Sequence, residues 1–222
     1  MIYLSNFIAV LDACVRYPAP VRDLLLSLAD NGLFKPKWSI EIQDEWSRNL
    51  LLNRPDLKES QLQLTIEAMN IAFPDSNVDK YSSLISGLTL PDPNDRHVVV
   101  AAIRSKANVI VTYNLKDFPK SIESEYDSEI QHPDEFLCNV YDLHPEKAKE
   151  AFVKMAKRLK NPPKSQSEVL ETLSKSDLKR IIEKLKDALQ SSRRPRQISL
   201  ARCASHTTVR TGLVYGGSSC LE

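Results

Sequence analysis

The chain has 222 residues, 42% hydrophobic and 27% charged, which suits one well-buried core and is too little for two large ones. A net charge of +1 argues neither for nor against nucleic acid. No run approaches the roughly 18 apolar residues of a membrane helix, and the four cysteines, Cys14, Cys138, Cys203 and Cys220, are too scattered to mark a zinc site or a disulfide framework.

The charge is unevenly placed. Residues 188–222 carry five arginines (Arg193, Arg194, Arg196, Arg202, Arg210) against Glu222, a net of +4, and leave 25 basic and 28 acidic residues, a net of −3, in 1–187. The apolar stretch before Asp12 lacks a basic start and a small-residue cleavage site, so it is a poor signal peptide. The expectation is a cytoplasmic chain with reduced thiols and no membrane contact.

Phe7 to Leu11 is a short apolar run that reads as a buried strand. Pro18 and Pro20 open a helix over about 21–30, where Val21, Leu24, Leu25 and Leu28 keep helical spacing; Asn31-Gly32 ends it. Ser39 is a fitting N-cap for a helix over about 40–52. Residues 55–72 predict a longer helix with Pro55 in its first turn, broken by Pro74-Asp75-Ser76. For 77–90 the pattern predicts a short helix and a short strand near Leu88.

Asp92-Pro93 starts a helix that runs to about Lys106, with Asp92 as N-cap and Pro93 at its first position. Asn108 to Thr112 is a β-branched central strand, residues 129–131 an edge strand, and Pro133 opens a helix to about Tyr141. Strands alternating with helices predict an α/β fold with a parallel sheet. Beyond residue 142 only helical patterns follow. One starts at Pro145 and carries Ala148, Phe152, Met155 and Leu159; the other spans about 167–189 with a break near Ser174–Ser176. Residues 191–222, rich in Ser, Arg and Gly, predict a disordered basic tail.

Four acids stand where chemistry would use them. Asp12 ends the first strand and Asp117 follows the strand ending at Thr112, and sites in open parallel sheets gather beyond the carboxyl ends of strands. Asp95 sits in the first turn of its helix. Glu45 lies within a helix whose facing the sequence leaves open. Each has a plainer reading: Asp92 and Asp95 complement a helix dipole, Asp117 is a turn acid, and Glu45 is solvated surface. If the four converge, their repulsion calls for a cation. Oxygen ligands without Cys or His select Mg²⁺ or Mn²⁺ over zinc, and such ions serve phosphodiester hydrolysis.

Four strings then carry a resemblance. Val10-Leu11-Asp12-Ala13-Cys14-Val15 resembles the opening strand of PIN domains with their first catalytic Asp. Trp38 to Trp46 resembles the PIN segment in which a Ser starts a helix and the catalytic Glu comes six residues later, which selects Glu45 over Glu41. Asp92-Pro93-Asn94-Asp95-Arg96-His97, followed by Val98 to Ala102, is similar to the third motif, with Asp95 as the metal-binding acid. Val111 to Phe118 is similar to the fourth, in which Thr112, Asn114 and Asp117 line the pocket. The resemblance covers residues 7–142 and is nearest to the VapC-type toxins of bacterial toxin–antitoxin pairs that carry a helical carboxyl-terminal extension.

The resemblance implies a PIN-like three-layer domain over 1–142, with a central parallel sheet flanked by helices, and a helical extension over 143–190. It implies an Mg²⁺- or Mn²⁺-dependent endoribonuclease with Asp12, Glu45, Asp95 and Asp117 as catalytic and metal-binding acids. Thr112, Asn114, Lys116 and His97 would touch substrate. A small antitoxin and RNA are the implied partners, and a homodimer is compatible. The competing reading is a catalytically weak PIN-fold module that binds RNA or protein; a flap-endonuclease-like DNA nuclease would need more acids and a helical arch. Among other residues, Trp38 and Trp46 read as core rather than base-stacking, Arg22, Arg48 and Arg54 as surface or phosphate contacts, and Cys14 as a small buried residue rather than a nucleophile.

Overall fold

A computed structural model describes residues 7–85, 87–160 and 162–191. Strand β1 (Ile8–Leu11) leads through the short helix α1 (Ala13–Arg16) into α2 (Ala19–Asp30), then to β2 (Lys35–Lys37). Helices α3 (Ile40–Asn53), α4 (Glu59–Ala72) and α5 (Ser82–Ile85) follow, then α6 (Arg96–Ser105), β3 (Val109–Val111), α7 (Ser121–Tyr126), β4 (Glu129–Gln131) and α8 (Pro133–Leu143). Helices α9 (Pro145–Arg158), α10 (Gln166–Ser174) and α11 (Lys179–Ser191) complete the described chain. The tail proposed beyond Ser191 lies outside the described residues.

The four strands form one sheet in the order β2-β1-β3-β4, every neighbouring pair parallel. Alternate strand residues divide the core into two layers. Ala9, Leu11, Val109 and Val111 face α2 and α8 to α11, while Val10 and Ile110 face α3, α4 and α6. This is the three-layer arrangement expected, with the sheet buried on both sides as parallel sheets are. The carboxyl-terminal helices are part of the first layer: Phe152, Leu173 and Leu185 are buried with Leu24 and Leu25, and the buried Ser27 hydroxyl donates to the Ala151 carbonyl at 2.8 Å.

Local signals act as the sequence suggests at most helix ends. The Ser39 hydroxyl accepts from Ile42 N at 3.2 Å, and Gly32 takes φ +73° just after α2, a conformation with little cost only for glycine. Two expectations fail. Helix α4 begins at Glu59 rather than Pro55: Leu57 N bonds back to Arg54 O, and Arg54 pairs with Asp56 through two bonds of 2.7 Å, so 54–57 closes as a separate turn. No strand forms at Leu88, whose N–H turns back to Ile85 O while its side chain is buried. The extended pairing nearby is a single parallel bridge between Trp38 and Asn77. Strand β2 was not anticipated; it is an edge strand, where Pro36 is tolerated.

Candidate functional site

Register builds the centre of the site. Leu11 pairs with Val111, and Asp12 N donates to Val111 O at 3.2 Å, so Asp12 and Thr112 emerge side by side from the carboxyl ends of two central strands. The Thr112 hydroxyl donates to Asp12 Oδ2 at 2.7 Å. The Cys14 thiol stands 3.1 Å from the same oxygen, and Ala13 N donates to Asp12 Oδ1 at 2.6 Å. Asp12 is buried, and its pKa is raised: burial pushes it up, the Thr112 and Cys14 bonds pull it down, and the charge of Glu45 pushes it up again.

Helix α3 brings Glu45 to this centre, and a stack of cations and rings holds the helix. Arg16, wholly buried in α1, lies 5.0 Å from the Trp38 ring and 5.2 Å from the Trp46 ring; Arg22 covers the Trp46 ring at 5.1 Å. Arg16 Nε and Nη1 have no hydrogen-bond partner. Burial pulls its pKa down to about 9; the charge of Arg22 adds to this and that of Asp12 opposes it. Trp38 and Trp46 are therefore core residues, and Trp46 fixes its neighbour Glu45 relative to α1.

The turn before α6 supplies the third group. The Asp92 carboxylate accepts from Asn94 N at 2.8 Å, and a short 3-10 turn over Pro93–Asp95 leads into α6. Asp95 Oδ2 is buried without a hydrogen-bond partner. Its pKa rises from 3.8 to about 7, first through burial and then through the charges of Asp12, Asp92, Asp117 and Glu45. That the four other acids all act on Asp95 is the clearest sign that they share one electrostatic neighbourhood. His97 Nδ1, facing the Asn94 carbonyl at 2.6 Å, must carry a proton to bond it. Its Nε2 stands 3.3 Å from Glu45 Oε2, near enough for an ion pair though not aligned for a hydrogen bond. Burial lowers the His97 pKa, but Glu45, the Asn94 carbonyl and Asp12 outweigh it and the net shift is upward.

Asp117 closes a 3-10 turn over Leu115–Asp117, and Asn114 Nδ2 donates to its carboxylate. Lys116, in the same turn, is exposed. An open cleft of about 600 Å³ passes over Glu45, Asp95, His97 and Asn114. Glu41, Arg48, Asn49, Asp92 and Asn94 also line it, while Thr112, with no exposed surface, stands behind Asp12. Arg48 and Asn49 follow Glu45 by three and four residues, so the helical face that holds the acid holds them too; Arg48 is already among the phosphate candidates, and the same spacing would have singled out Asn49. Cys14 had no such signal: beyond Asp12 two residues before it, its partners Thr112 and Tyr113 follow β3, 98 and 99 residues away.

The carboxylates of Glu41, Glu45, Asp92 and Asp95 on the cleft wall offer oxygen donors, the chemistry that suits Mg²⁺ or Mn²⁺, and the unpartnered Asp95 Oδ2 fits such an ion. As the side chains stand, however, no group of three or more His, Cys, Asp or Glu among the described residues is gathered closely enough to hold one. No described helix is long and apolar enough to cross a membrane.

Comparison with known proteins agrees with this geometry. Residues 8–116 match the PIN domain family, and residues 133–187 match the VapC50 C-terminal domain. A protein of Mycobacterium tuberculosis (strain ATCC 25618 / H37Rv) named "Putative ribonuclease VapC50" is 38% identical over 93 residues, which are 42% of this chain and 54% of that protein. The match thus spans about half the length of that curated relative. No solved structure matches the chain. With a parallel sheet between helical layers, acids at its carboxyl edge and both segments matched in order, the chain is a PIN-domain, VapC50-like protein with a carboxyl-terminal extension domain.

Proposed function

We propose that the chain is an endoribonuclease that cuts RNA in the acidic cleft with the help of Mg²⁺ or Mn²⁺. The observation that carries this reading is Asp95: a half-buried carboxyl with one oxygen unpartnered, raised to about 7 first by burial and then by the charges of Asp12, Asp92, Asp117 and Glu45. A carboxyl whose ionisation is opposed by burial and by neighbouring acids is suited to a divalent cation. Asp12, Asp95, Asp117 and Glu45 would hold the ion, which would supply Lewis acidity and a bound water of lowered pKa.

The protein's own residues orient and shield. Thr112 and Cys14 fix the rotamer of Asp12 by donating to one oxygen, so Thr112 acts as a positioning residue rather than by touching RNA. His97, held by the Asn94 carbonyl, keeps Glu45 turned toward the cleft. Asn114 steadies Asp117. Arg48, Asn49 and Asn94 on the cleft wall are placed to bind phosphate and sugar, and Lys116 to reach the strand from the rim. The named relative supports RNA as substrate and, with the chain's own match to its carboxyl-terminal domain, a toxin held by a small antitoxin whose Arg or Lys would enter the acidic cleft. The division into a nuclease domain over 1–142 and an extension over 143–190 is kept as a division of labour, since both share one core layer.

A second reading has one specific observation in its favour. No three of these acids are gathered for an ion as they stand, as suits a PIN-fold module that binds RNA or protein and cuts weakly or not at all. Incubation of the chain with defined tRNA, rRNA and mRNA fragments, with Mg²⁺ and with EDTA, followed by mapping of the ends, separates the two. Discrete metal-dependent cuts support the nuclease; retention of intact RNA supports the binding module.

A further inference from the structure

We propose that Tyr113 is a positioning residue through which the carboxyl-terminal helices hold the loop carrying Thr112, Asn114 and Asp117, an inference that rests on the reading of the cleft given above. Tyr113 directly follows Thr112 and works at both ends. Its backbone N–H donates to Cys14 Sγ at 3.2 Å, and that sulfur stands 3.1 Å from Asp12 Oδ2. Its hydroxyl donates to the Ser176 carbonyl at 2.8 Å, in the turn between α10 and α11. One residue thus bridges the central carboxylate and a segment 63 positions further along the chain.

The far end of this bridge is itself anchored. The Tyr113 ring packs edge-on against His132, with centroids 5.0 Å apart and planes at 77°. His132 caps α8, its Nδ1 accepting from Asp134 N at 3.2 Å. The buried Asp134 carboxylate then accepts from Arg180 N and Ile181 N, both at 3.0 Å, and closes the amino terminus of α11. These are the donors that a helix start leaves without intrahelical partners. The loop after β3, the start of α8 and the start of α11 therefore meet at Tyr113, and the Ser176 turn is fixed from both directions. A phenylalanine would fill the ring's place but leave the Ser176 carbonyl without its hydroxyl donor.

The consequence for the cleft is geometric. Asp12 Oδ2 is oriented by the residue before Tyr113 and by the thiol that Tyr113 holds. A displaced Tyr113 moves both supports together, and sub-ångström placement is what an oriented reaction depends on. Helices that lie on the far side of the core layer thereby reach the reacting groups without lining the cleft.

The test uses the full chain with Tyr113→Phe, Asp134→Asn and both together. Hydrogen exchange over residues 112–117, without added metal, should quicken about fivefold in Tyr113→Phe, the factor that one net hydrogen bond carries in local opening, while α4 exchanges as before. The double variant should loosen this segment no more than the worse single variant, because both changes cut one brace. In RNA cleavage, kcat should fall while KM stays within about twofold, the pattern of lost alignment rather than lost binding. Unchanged exchange over 112–117 in Tyr113→Phe, full additivity of the two variants, or a rise in KM at constant kcat would each overturn the proposal. If the unaltered chain cuts no RNA, the nuclease reading falls, and the exchange measurement still decides the role of Tyr113.

Discussion

Asp12 and Thr112, 100 residues apart in the chain, meet through a 2.7 Å hydrogen bond between hydroxyl and carboxylate in a wholly buried setting. The bond joins the ends of two neighbouring strands, so the sheet register itself sets where the first acid points. The hydroxyl is in turn the acceptor for Asn114 N at 3.0 Å, which ties the bond to the loop bearing Asp117.

Replacing Thr112 with Val keeps the shape and removes the donor. Cation affinity, read by calorimetric titration of Mn²⁺, should fall about 10- to 100-fold, the usual cost of losing a group that orients a ligand. A Val variant with the affinity of the unaltered chain would show that Cys14 and Ala13 suffice to hold Asp12.

Without metal, the chain should lose stability as pH rises from about 4 to about 7. Asp95 is raised from 3.8 to about 7 in the fold, so across that window the folded state holds a proton that the unfolded state has released, and folding weakens with each step upward. Asp12 and His97 are shifted upward as well and act in the same direction. In EDTA the thermal midpoint should be lower at pH 8 than at pH 5, and Asp95→Asn should flatten this slope. A flat profile in the unaltered chain would remove the proposed repulsion among the acids.

The stack of Arg16, Trp38, Trp46 and Arg22 makes a stability prediction. Trp46 is 1% exposed, and its indole N–H has no partner. Trp46→Ala should cost about 3–5 kcal/mol in urea unfolding, as large cavities in cores do. Trp46→Phe keeps an aromatic face for the guanidinium groups and deletes the unsatisfied donor, so about 1.5 kcal/mol or less is expected. Equal losses from the two variants would mean that the ring–cation contacts contribute little.

Glu41 and Glu45 both line the cleft, but Glu45 alone is paired with His97 and bears on Asp12 and Asp95. Glu45→Gln should abolish most cleavage, while Glu41→Gln should alter it by less than about threefold, the level of a screened surface charge. The reverse ranking in a side-by-side cleavage assay would shift the assignment one helical turn.

Much of this arrangement was legible in the sequence because strong local signals coincide with it. Val109 to Val111 could be little but a buried parallel strand, and Ser39 announces the start of α3. Strand β2 escaped because Lys35-Pro36-Lys37 is three residues long with a proline at its centre; only the alternate burial of Phe34, Pro36 and Trp38 betrays it. The facing of Glu45 was not readable, since it depends on how Trp46 seats between Arg16 and Arg22. Cys14, expected to be a small buried residue, is only partly buried, its thiol pushed upward by burial and by Asp12 two residues before it; its contacts with Thr112 and Tyr113 depend on tertiary proximity. The brace at Tyr113 joins segments far apart in the chain and left no periodic trace.

The most direct test of the central claim is the rate of RNA cleavage as a function of Mn²⁺ concentration, measured for the unaltered chain and for Asp12→Asn. The account expects a saturable, EDTA-reversible rate in the first and at least a ~100-fold lower rate in the second, with both proteins folded. RNA left intact by the unaltered chain at every Mn²⁺ concentration, or equal cleavage by Asp12→Asn, would contradict it.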